Sequence, residues 1–215
     1  MRLSVVDELV DRYPQLGECR ESIVDVFQCL VKCLEAGGTI YLAGNGGSAA
    51  DAEHIASELL KSFRLPRPLD DASKARLVES CPDHGEFLAE HLEAGLRVVS
   101  LNGHPAFASA WANDVDADLI FAQQITVYGG DKDVLLVIST SGNSLNLCHA
   151  VRAATANGTR TAALTGRDGG ELGGLCDLTI RVPEDETFCV QELHLPVYHC
   201  LCASLERHFF GATDG

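Results

Sequence analysis

A histidine and a glutamate four residues apart, His54 and Glu58, lie in the stretch GNGGSAADAEHIASELL, residues 44–60. Residues spaced by four share one face of an α-helix, so both side chains would project to the same side. An imidazole and a carboxylate in this arrangement suit a divalent metal, and they also suit a carboxylate base that a histidine orients. By itself the pair is more typical of a solvated helix face. Its place on a helix that opens at a glycine-rich turn favours a functional site.

Two turns rich in glycine or hydroxyl groups each follow an apolar run and precede a helical stretch. They are Gly-Asn-Gly-Gly-Ser at 44–48 and Ser-Thr-Ser-Gly-Asn-Ser at 139–144. Ligands of open parallel sheets bind at the carboxyl ends of strands, where a helix N-terminus offers N–H groups and partial positive charge to an anion. Ser141 or Ser144 would alternatively only cap a helix, but four hydroxyls within six residues favour an anion site. Neither turn matches G-x-G-x-x-G or the lysine-containing phosphate loop, which favours a small phosphorylated ligand over a nucleotide.

The closing stretch VQELHLPVYHCL adds Gln191, His194 and His199 as candidate ligands or proton donors. His194 lies three residues from Gln191 and can share its helix face, so spacing alone does not choose between the histidines. Gln191 and His199 are eight residues apart, roughly 12 Å along a helix axis, which is the limit of reach for one metal. Either Gln191 lies at a bent helix start or a site that uses both is shared between subunits. We favour the shared site as a hypothesis.

Composition and charge exclude several classes of protein. The chain has 215 residues, of which 46% are hydrophobic, and a formal net charge of −15. The charge argues against nucleic acid as a partner, and no apolar run is long enough to predict a membrane span. The start of the chain lacks the pattern of a signal peptide. Nine cysteines scattered through apolar segments indicate reduced thiols in a cytoplasmic protein.

The acidic charge also means that a phosphate must be held by local donors, since the overall field of the protein would repel it. Residues 61–67, KSFRLPR, form one of the few basic patches. This patch is equally typical of a solvated loop and of a segment that faces a ligand.

The elements that must position these residues alternate between strand and helix, which predicts an α/β fold with a parallel sheet. Five apolar runs predict buried strands, at 39–44, 96–102, 133–140, 159–166 and 177–183. Helical patterns lie between them, at about 48–62, 84–94, 105–112, 117–127 and 144–157. Two further helices precede the sheet and one ends the chain, at about 2–12, 18–36 and 187–210. Residues 64–83 are polar and contain prolines, and we interpret them as a loop or lid.

Four stretches of the chain closely resemble the phosphoheptose isomerases of the sugar-isomerase (SIS) superfamily. They are GNGGSAADAEHIASEL, STSGNS, LTGRDGGELGGLCDLTIRVP and QELHLPVYH, and the resemblance covers about 20–62 and 110–208. It implies one SIS domain over 1–215, a three-layer αβα sandwich on a five-stranded parallel sheet, with an N-terminal helical arm at 1–37. It also implies a cytoplasmic homotetramer with active sites at subunit interfaces.

The resemblance assigns roles to residues at matching positions. Those implied to bind the sugar phosphate are Asn45, Gly46, Gly47, Ser48, Glu58, Asn113, Asp114, Ser139, Thr140, Ser141, Ser144 and Gln191. Those implied to bind one Zn²⁺ per subunit are His54, Glu58, Gln191 and His199. Glu58 and His199 also match the family's base and acid, so the resemblance selects His199 over His194. The expected reaction is an aldose–ketose isomerisation through an enediol, which converts sedoheptulose 7-phosphate to D-glycero-D-manno-heptose 7-phosphate.

Three departures from the family pattern concern the identity of the substrate. About twenty extra residues lie within 67–97, and we expect an inserted loop or helix at 64–95. Asp114 is followed by VDAD instead of an aromatic and glycine segment, and Lys-Ser-Phe at 61–63 stands where the family commonly has Thr-Gly-Arg-Tyr. The alternatives are an isomerase of another phosphorylated sugar, a non-enzymatic SIS adaptor and a sugar-phosphate-sensing module. Glu58 and His199 count against the adaptor, and the absence of a basic arm or DNA-binding helix pair from the sequence counts against the sensor.

Overall fold

Five parallel strands form the centre of the computed structural model, which describes residues 4–211. In chain order they are β1 (Ile40–Gly44), β2 (Val98–Ser100), β3 (Val134–Ser139), β4 (Arg160–Thr165) and β5 (Leu178–Arg181). The order across the sheet is β2-β1-β3-β4-β5, and every neighbouring pair is parallel. The predicted strands and the α/β fold are therefore confirmed.

Helices cover both faces of the sheet. Those on or near the first face are α1 (Ser4–Arg12), α2 (Arg20–Glu35), α3 (Gly47–Leu60) and α10 (Thr187–Phe210), and the others are α4 (Asp71–Ser80), α5 (Gly85–His91), α6 (Pro105–Asp114), α7 (Ile120–Tyr128), α8 (Leu145–Ala156) and α9 (Leu172–Leu175). Successive strand residues point to opposite faces. Ile40 and Leu42 accordingly belong to the core under α2, α3 and α10, whereas Tyr41 and Ala43 belong to the core under α7 and α8. The arrangement is the expected three-layer αβα sandwich.

The boundaries of the predicted helices agree with the structure to within a few residues. The closing helix matches its prediction of 187–210. The first begins in the structure at Ser4, and residues 2–3 of its predicted span lie outside the described residues. The short helix α9 was not predicted, because its sequence, LGGL, is too short and too rich in glycine for a helical pattern to be visible.

The interpretation of 64–83 as a loop is wrong, because α4 occupies Asp71–Ser80. Asp70 caps this helix by accepting a hydrogen bond from the backbone N–H of Ser73 at 2.8 Å. The helix buries none of its residues and packs beside α5, so it has no apolar periodicity to reveal it. The insertion is thus a pair of surface helices. Its two ends meet at an isolated antiparallel bridge between Pro68 and Glu93.

All nine cysteines are free thiols in the structure. Burial raises the pKa of Cys33 and of Cys176 to about 12, so these two thiols stay protonated and unreactive at neutral pH. Among residues 4–211, no helix combines the length and the apolar character needed to cross a membrane.

Candidate active site

The two candidate anion turns lie at the point where the chain changes direction across the sheet. After β1 the chain passes outward to β2 and then returns to β3 on the other side of β1. Open α/β sheets bind ligands at the carboxyl ends of the strands beside such a switch point. The turns follow β1 and β3, which are neighbours in the sheet, so they lie side by side.

Glycine gives the first turn its shape. Gly46 has φ +56, and it precedes the first residue of α3. A Cβ at Gly47 would lie 2.4 Å from Nε2 of Gln191, so the amide end of the Gln191 side chain fills the space that this glycine leaves open. Asn45, Gly46 and Gly47 are exposed, whereas Ser48 is buried. The exposed backbone at a helix N-terminus is a suitable surface for a phosphate.

Hydroxyl groups organise the second turn. The buried Ser139 hydroxyl accepts a hydrogen bond from the N–H of Gly142, and it lies 3.2 Å from the hydroxyl of Ser144. Ser144 occupies the N-cap position of α8 but forms no capping bond with its side chain, so the cap interpretation is wrong for this residue. The exposed Ser141 accepts from the N–H of Asn143, within the turn and before α8 begins. Thr140 is half-buried between Ser139 and Ser141.

A reciprocal amide pair joins the two turns. Nδ2 of Asn45 donates to Oδ1 of Asn146, and Nδ2 of Asn146 donates to Oδ1 of Asn45, both at 2.9 Å. The two residues are 101 positions apart in the chain, so no sequence pattern reveals this contact. The contact joins the two turns into one continuous polar surface.

His54, Glu58 and His199 come together in one chain, at the far end of α3 from these turns. Nε2 of His54 lies 3.2 Å from a carboxylate oxygen of Glu58 and 3.5 Å from Nε2 of His199. The other carboxylate oxygen of Glu58 accepts from Nζ of Lys61 at 3.3 Å. The ring of Phe63 lies against His199, with centroids 5.5 Å apart. We call His54, Glu58 and His199 the histidine–glutamate cluster.

Behind His54 lie two partners that sequence reasoning missed. The hydroxyl of Tyr198 donates to Asp51 at 3.2 Å and lies 3.1 Å from Nδ1 of His54. Because the hydroxyl proton goes to the carboxylate, Nδ1 of His54 must be the donor in its own bond to Tyr198. Asp51 precedes His54 by three residues on one helix face, a spacing that could have drawn attention to it. The role of Tyr198 depends on the contact between α3 and α10, and no sequence pattern indicates it.

Burial shifts the pKa values of these groups. It raises the pKa of Asp51 and of Tyr198, and for Tyr198 the neighbouring Asp51 charge raises it further. Burial also lowers the pKa of His199, with a further contribution from His54 and an opposing one from Glu58. His199 is therefore biased towards its neutral form, in which one ring nitrogen donates a proton and the other accepts one.

The chemistry of the histidine–glutamate cluster suits zinc, although the side chains contact one another directly. Two imidazoles and a carboxylate are ordinary zinc ligands. In neutral His54 the Nε2 lone pair faces the carboxylate of Glu58, and a proton or cation between them would remove that repulsion. As they stand, no three or more His, Cys, Asp or Glu side chains within 4–211 are arranged to hold a metal ion.

Gln191 and His194 lie apart from this cluster. Helices α3 and α10 run side by side in the same direction, so Gln191 lies beside Gly47 and Tyr198 lies beside His54. Seven residues separate Gly47 from His54, about 10 Å along the helix. His194 is fully buried, and neither ring nitrogen forms a hydrogen bond of good geometry among the described residues. Burial lowers its pKa to about 4, and the nearby backbone of Thr165 opposes that shift. Of the two histidines, the structure brings only His199 to His54.

Asn113 and Asp114 are exposed at the end of α6. Their side chains hydrogen-bond to each other at 2.8 Å. Within residues 4–211, neither forms a hydrogen bond to the two turns or to the histidine–glutamate cluster. The structure of one chain therefore does not join this pair to the other candidate residues.

Known proteins similar to this chain are phosphoheptose isomerases and other SIS-domain proteins. Two models of the SIS domain match, one over residues 111–201 and one over 7–81. A phosphoheptose isomerase from Alkalilimnicola ehrlichii is 40% identical over 90% of this chain and 87% of its own length. A solved structure of a phosphoheptose isomerase from Neisseria gonorrhoeae is 30% identical, with a TM-score of 0.68, and the match covers 93% of this chain and 96% of that one. A solved structure of a phosphoheptose isomerase from Francisella tularensis is 29% identical, with a TM-score of 0.73, and the match covers 95% of each chain.

Proposed function

The chain belongs to the phosphoheptose isomerase family of SIS-domain proteins and is a phosphosugar isomerase, and we propose that it converts sedoheptulose 7-phosphate to D-glycero-D-manno-heptose 7-phosphate. The observation that carries this proposal is the contact of Glu58 with His54 and of His54 with His199. A carboxylate and an imidazole side by side are the two groups that an aldose–ketose isomerisation needs. We also propose that the chain is one SIS domain, since the two matched segments, 7–81 and 111–201, lie on one sheet.

In the proposed mechanism Glu58 moves a proton between carbons and His199 moves one between oxygens. Glu58 takes a proton from C1 of the ketose, the electrons of that bond form the C1–C2 double bond, and His199 gives a proton to O2. The enediol then collapses: O1 returns a proton to His199 as the C1 carbonyl forms, and Glu58 delivers its proton to C2. Atoms and charges balance, and no redox cofactor is needed. Lys61 holds the carboxylate of Glu58 in position by donating a hydrogen bond to it.

The phosphate is assigned to the two turns. Exposed backbone at 45–47 and the hydroxyls of Thr140, Ser141 and Ser144 would bind its oxygens, in keeping with the free donors of a helix N-terminus. Ser48 and Ser139 are buried and would act by holding the turns in shape. The Asn113 and Asp114 side chains are proposed to contact the sugar from another copy of the chain, since they are remote from the cluster within one chain.

We further propose that His54, Glu58 and His199, with Gln191 of another copy, hold one zinc ion. The donor set supports this assignment, and a bound zinc ion would supply positive charge beside the sugar oxygens. Glu58 would then serve both as a ligand and as the base.

The length of α3 supports a site that is shared between copies in a homotetramer. Glu58 follows Gly47 by eleven residues, roughly 16 Å along the helix. An extended heptose phosphate spans only about 10 Å from C1 to phosphorus at carbon–carbon bond lengths of about 1.5 Å. The phosphate turns and the base that act on one sugar are therefore proposed to come from different copies. Free, mostly buried thiols agree with the proposed cytoplasmic location.

An isomerase of a different phosphorylated sugar is the second candidate. The observation that favours it is the inserted helix pair, whose exit residue Glu93 accepts hydrogen bonds from the N–H and the hydroxyl of Ser62, at 2.7 and 2.8 Å. Ser62 lies four residues after Glu58, so the insertion is anchored close to the base.

Replacing the base tests the mechanism. Glu58→Gln keeps the size of the side chain but cannot accept the C1 proton, so we expect kcat to fall by about 10³-fold or more in a folded protein. Glu53→Gln makes the same change at an exposed position of the same helix and should leave kcat unchanged. Near-normal turnover by Glu58→Gln would show that another group is the base.

A further inference from the structure

Arg67 and Glu206 form a fully buried ion pair at the start of the insertion. Their exposed fractions are 1% and 0%, and both Nε and Nη2 of Arg67 lie 2.8 Å from one carboxylate oxygen of Glu206. Taking two charges out of water is costly, and apolar residues often stabilise such a position equally well. Stability alone therefore does not explain why a pair is found here.

The remaining donors of Arg67 bind the end of the helix that carries the proposed base. Nη1 donates to the carbonyl oxygen of Leu59 at 2.8 Å, and Nη2 donates to the carbonyl oxygen of Glu58 at 3.0 Å. The last carbonyls of a helix lack partners within it. Arg67 thus fixes the backbone of Glu58 itself, and its planar guanidinium makes these contacts with directions that a flexible amine cannot reproduce.

The carboxylate of Glu206 organises the loop that follows α3. It accepts hydrogen bonds from the backbone N–H groups of Phe63, Arg64 and Leu65, at 2.8, 2.7 and 3.1 Å. Phe63 is the residue whose ring lies against His199. Glu206 follows His199 by seven residues on α10, two helical turns away on the same side of the helix.

We propose that Arg67 and Glu206 are positioning residues that set the placement of Glu58 relative to His199. One end of the pair holds the backbone of the proposed base, and the other belongs to the helix that carries the proposed acid. The bonds to residues 63–65 also fix the ring that packs on the acid. This inference rests on the proposed roles of Glu58 and His199. A misplacement of about 1 Å at reacting groups can cost about 100-fold in rate.

The test compares kcat and KM of variants with their thermal stability. Arg67→Lys keeps the charge beside Glu206, but it has three donors on one nitrogen where Arg67 makes four contacts from three. We therefore expect kcat to fall by about 10- to 100-fold with KM changed less than threefold. Arg67→Met removes every donor and should lower kcat further than Arg67→Lys. Ile125→Ala, a truncation in the core on the opposite face of the sheet, is a control that lowers stability without touching either helix.

The outcomes separate this inference from the proposed function. A fall in kcat for Arg67→Lys, with kcat retained in Ile125→Ala at a similar or lower melting temperature, supports positioning. Normal kcat in Arg67→Lys would overturn it, whether or not Arg67→Met folds. An active wild type is the premise of both comparisons, and a wild type that isomerises no heptose phosphate would refute the proposed function instead.

Discussion

Glu58 and Glu53 lie on one helix and differ only in what surrounds them. Glu53 is exposed, whereas the side chain of Glu58 is 13% exposed, lies beside His54 and accepts a hydrogen bond from Lys61. A partly desolvated carboxylate with fixed neighbours can be oriented towards a carbon–hydrogen bond, which a freely rotating surface carboxylate cannot. The proposed chemistry thus comes from the environment of the residue and not from its type.

At the residue scale, Ser141→Ala separates phosphate binding from turn structure. Loss of one hydroxyl that bonds a charged phosphate costs about 1.5–3 kcal/mol, so we expect KM for the sugar phosphate to rise about tenfold or more with little change in kcat. Ser109→Ala, on exposed α6, is the matched control and should change neither constant. An unchanged KM in Ser141→Ala would mean that this hydroxyl only holds the N–H of Asn143.

His194 predicts a specific loss of stability in acid. Its pKa is about 4 in the folded protein, below its ordinary value of 6.5, so the unfolded chain takes up the proton first and stability falls as the pH drops from about 6.5 to 4. The difference corresponds to about 3 kcal/mol. Denaturant unfolding at pH 7 and pH 4 should show His194→Leu losing about that much less stability than the wild type. His84→Leu, at an exposed position, is the control and should lose as much stability as the wild type. An equal loss in His194→Leu and in the wild type would contradict the role given to His194.

Site residues could be predicted from the sequence where their spacing along the chain revealed them. They could not be predicted where their role depends on contact between distant elements. His54, Glu58 and the hydroxyl turn were visible because each is a pattern within a few residues. Tyr198 and Asn146 were not, because their roles depend on how α10 meets α3 and how the two turns meet. His194 and His199 looked equivalent by spacing. In the structure His194 is buried, whereas His199 contacts His54, and this difference distinguishes the two histidines.

At the element scale, the strands were predictable and the inserted helix α4 was not. Strands buried on both faces read as continuous apolar runs, and β1 and β3 are buried throughout. Helix α4 buries no residue, so it lacks the apolar spacing by which a helix is recognised. Its capping residue Asp70 was the one available signal, and adjacent prolines favoured the loop interpretation.

The same geometry predicts that the inserted helix pair can be removed. Pro68 and Glu93 are bridged, so two glycines in place of residues 70–91 can close the chain without moving the sheet. We expect the free energy of unfolding to change by about 1 kcal/mol or less, as measured by denaturant titration, because α4 buries no residue and the two buried residues of α5, Gly85 and Ala89, belong to neither core of the sheet. Glu93→Ala in the full chain is the control for loss of the Ser62 anchor. Failure of the shortened chain to fold would show that α4 and α5 support the sheet.

At the scale of the whole molecule, a shared site predicts that two inactive variants restore each other. Glu58→Gln and Gln191→Ala would be unfolded, mixed and reassembled together. If each site takes Gln191 from another copy, some sites in the mixed assemblies contain neither substitution, and about a quarter of wild-type activity should return. Each variant reassembled alone is the control and should stay inactive. No recovery in the mixture would mean that one chain supplies every residue of a site.

The most direct test of the central claim is an isomerase assay of the purified protein with sedoheptulose 7-phosphate and shorter ketose phosphates, each measured with added zinc and with a chelator. Our account predicts turnover of the seven-carbon sugar, by the wild type and not by Glu58→Gln, and a lower rate with the chelator. Turnover confined to a shorter sugar would contradict the proposed substrate and make the inserted helices a candidate for substrate selection. A folded wild type that turns over none of these sugars would contradict the proposed function itself.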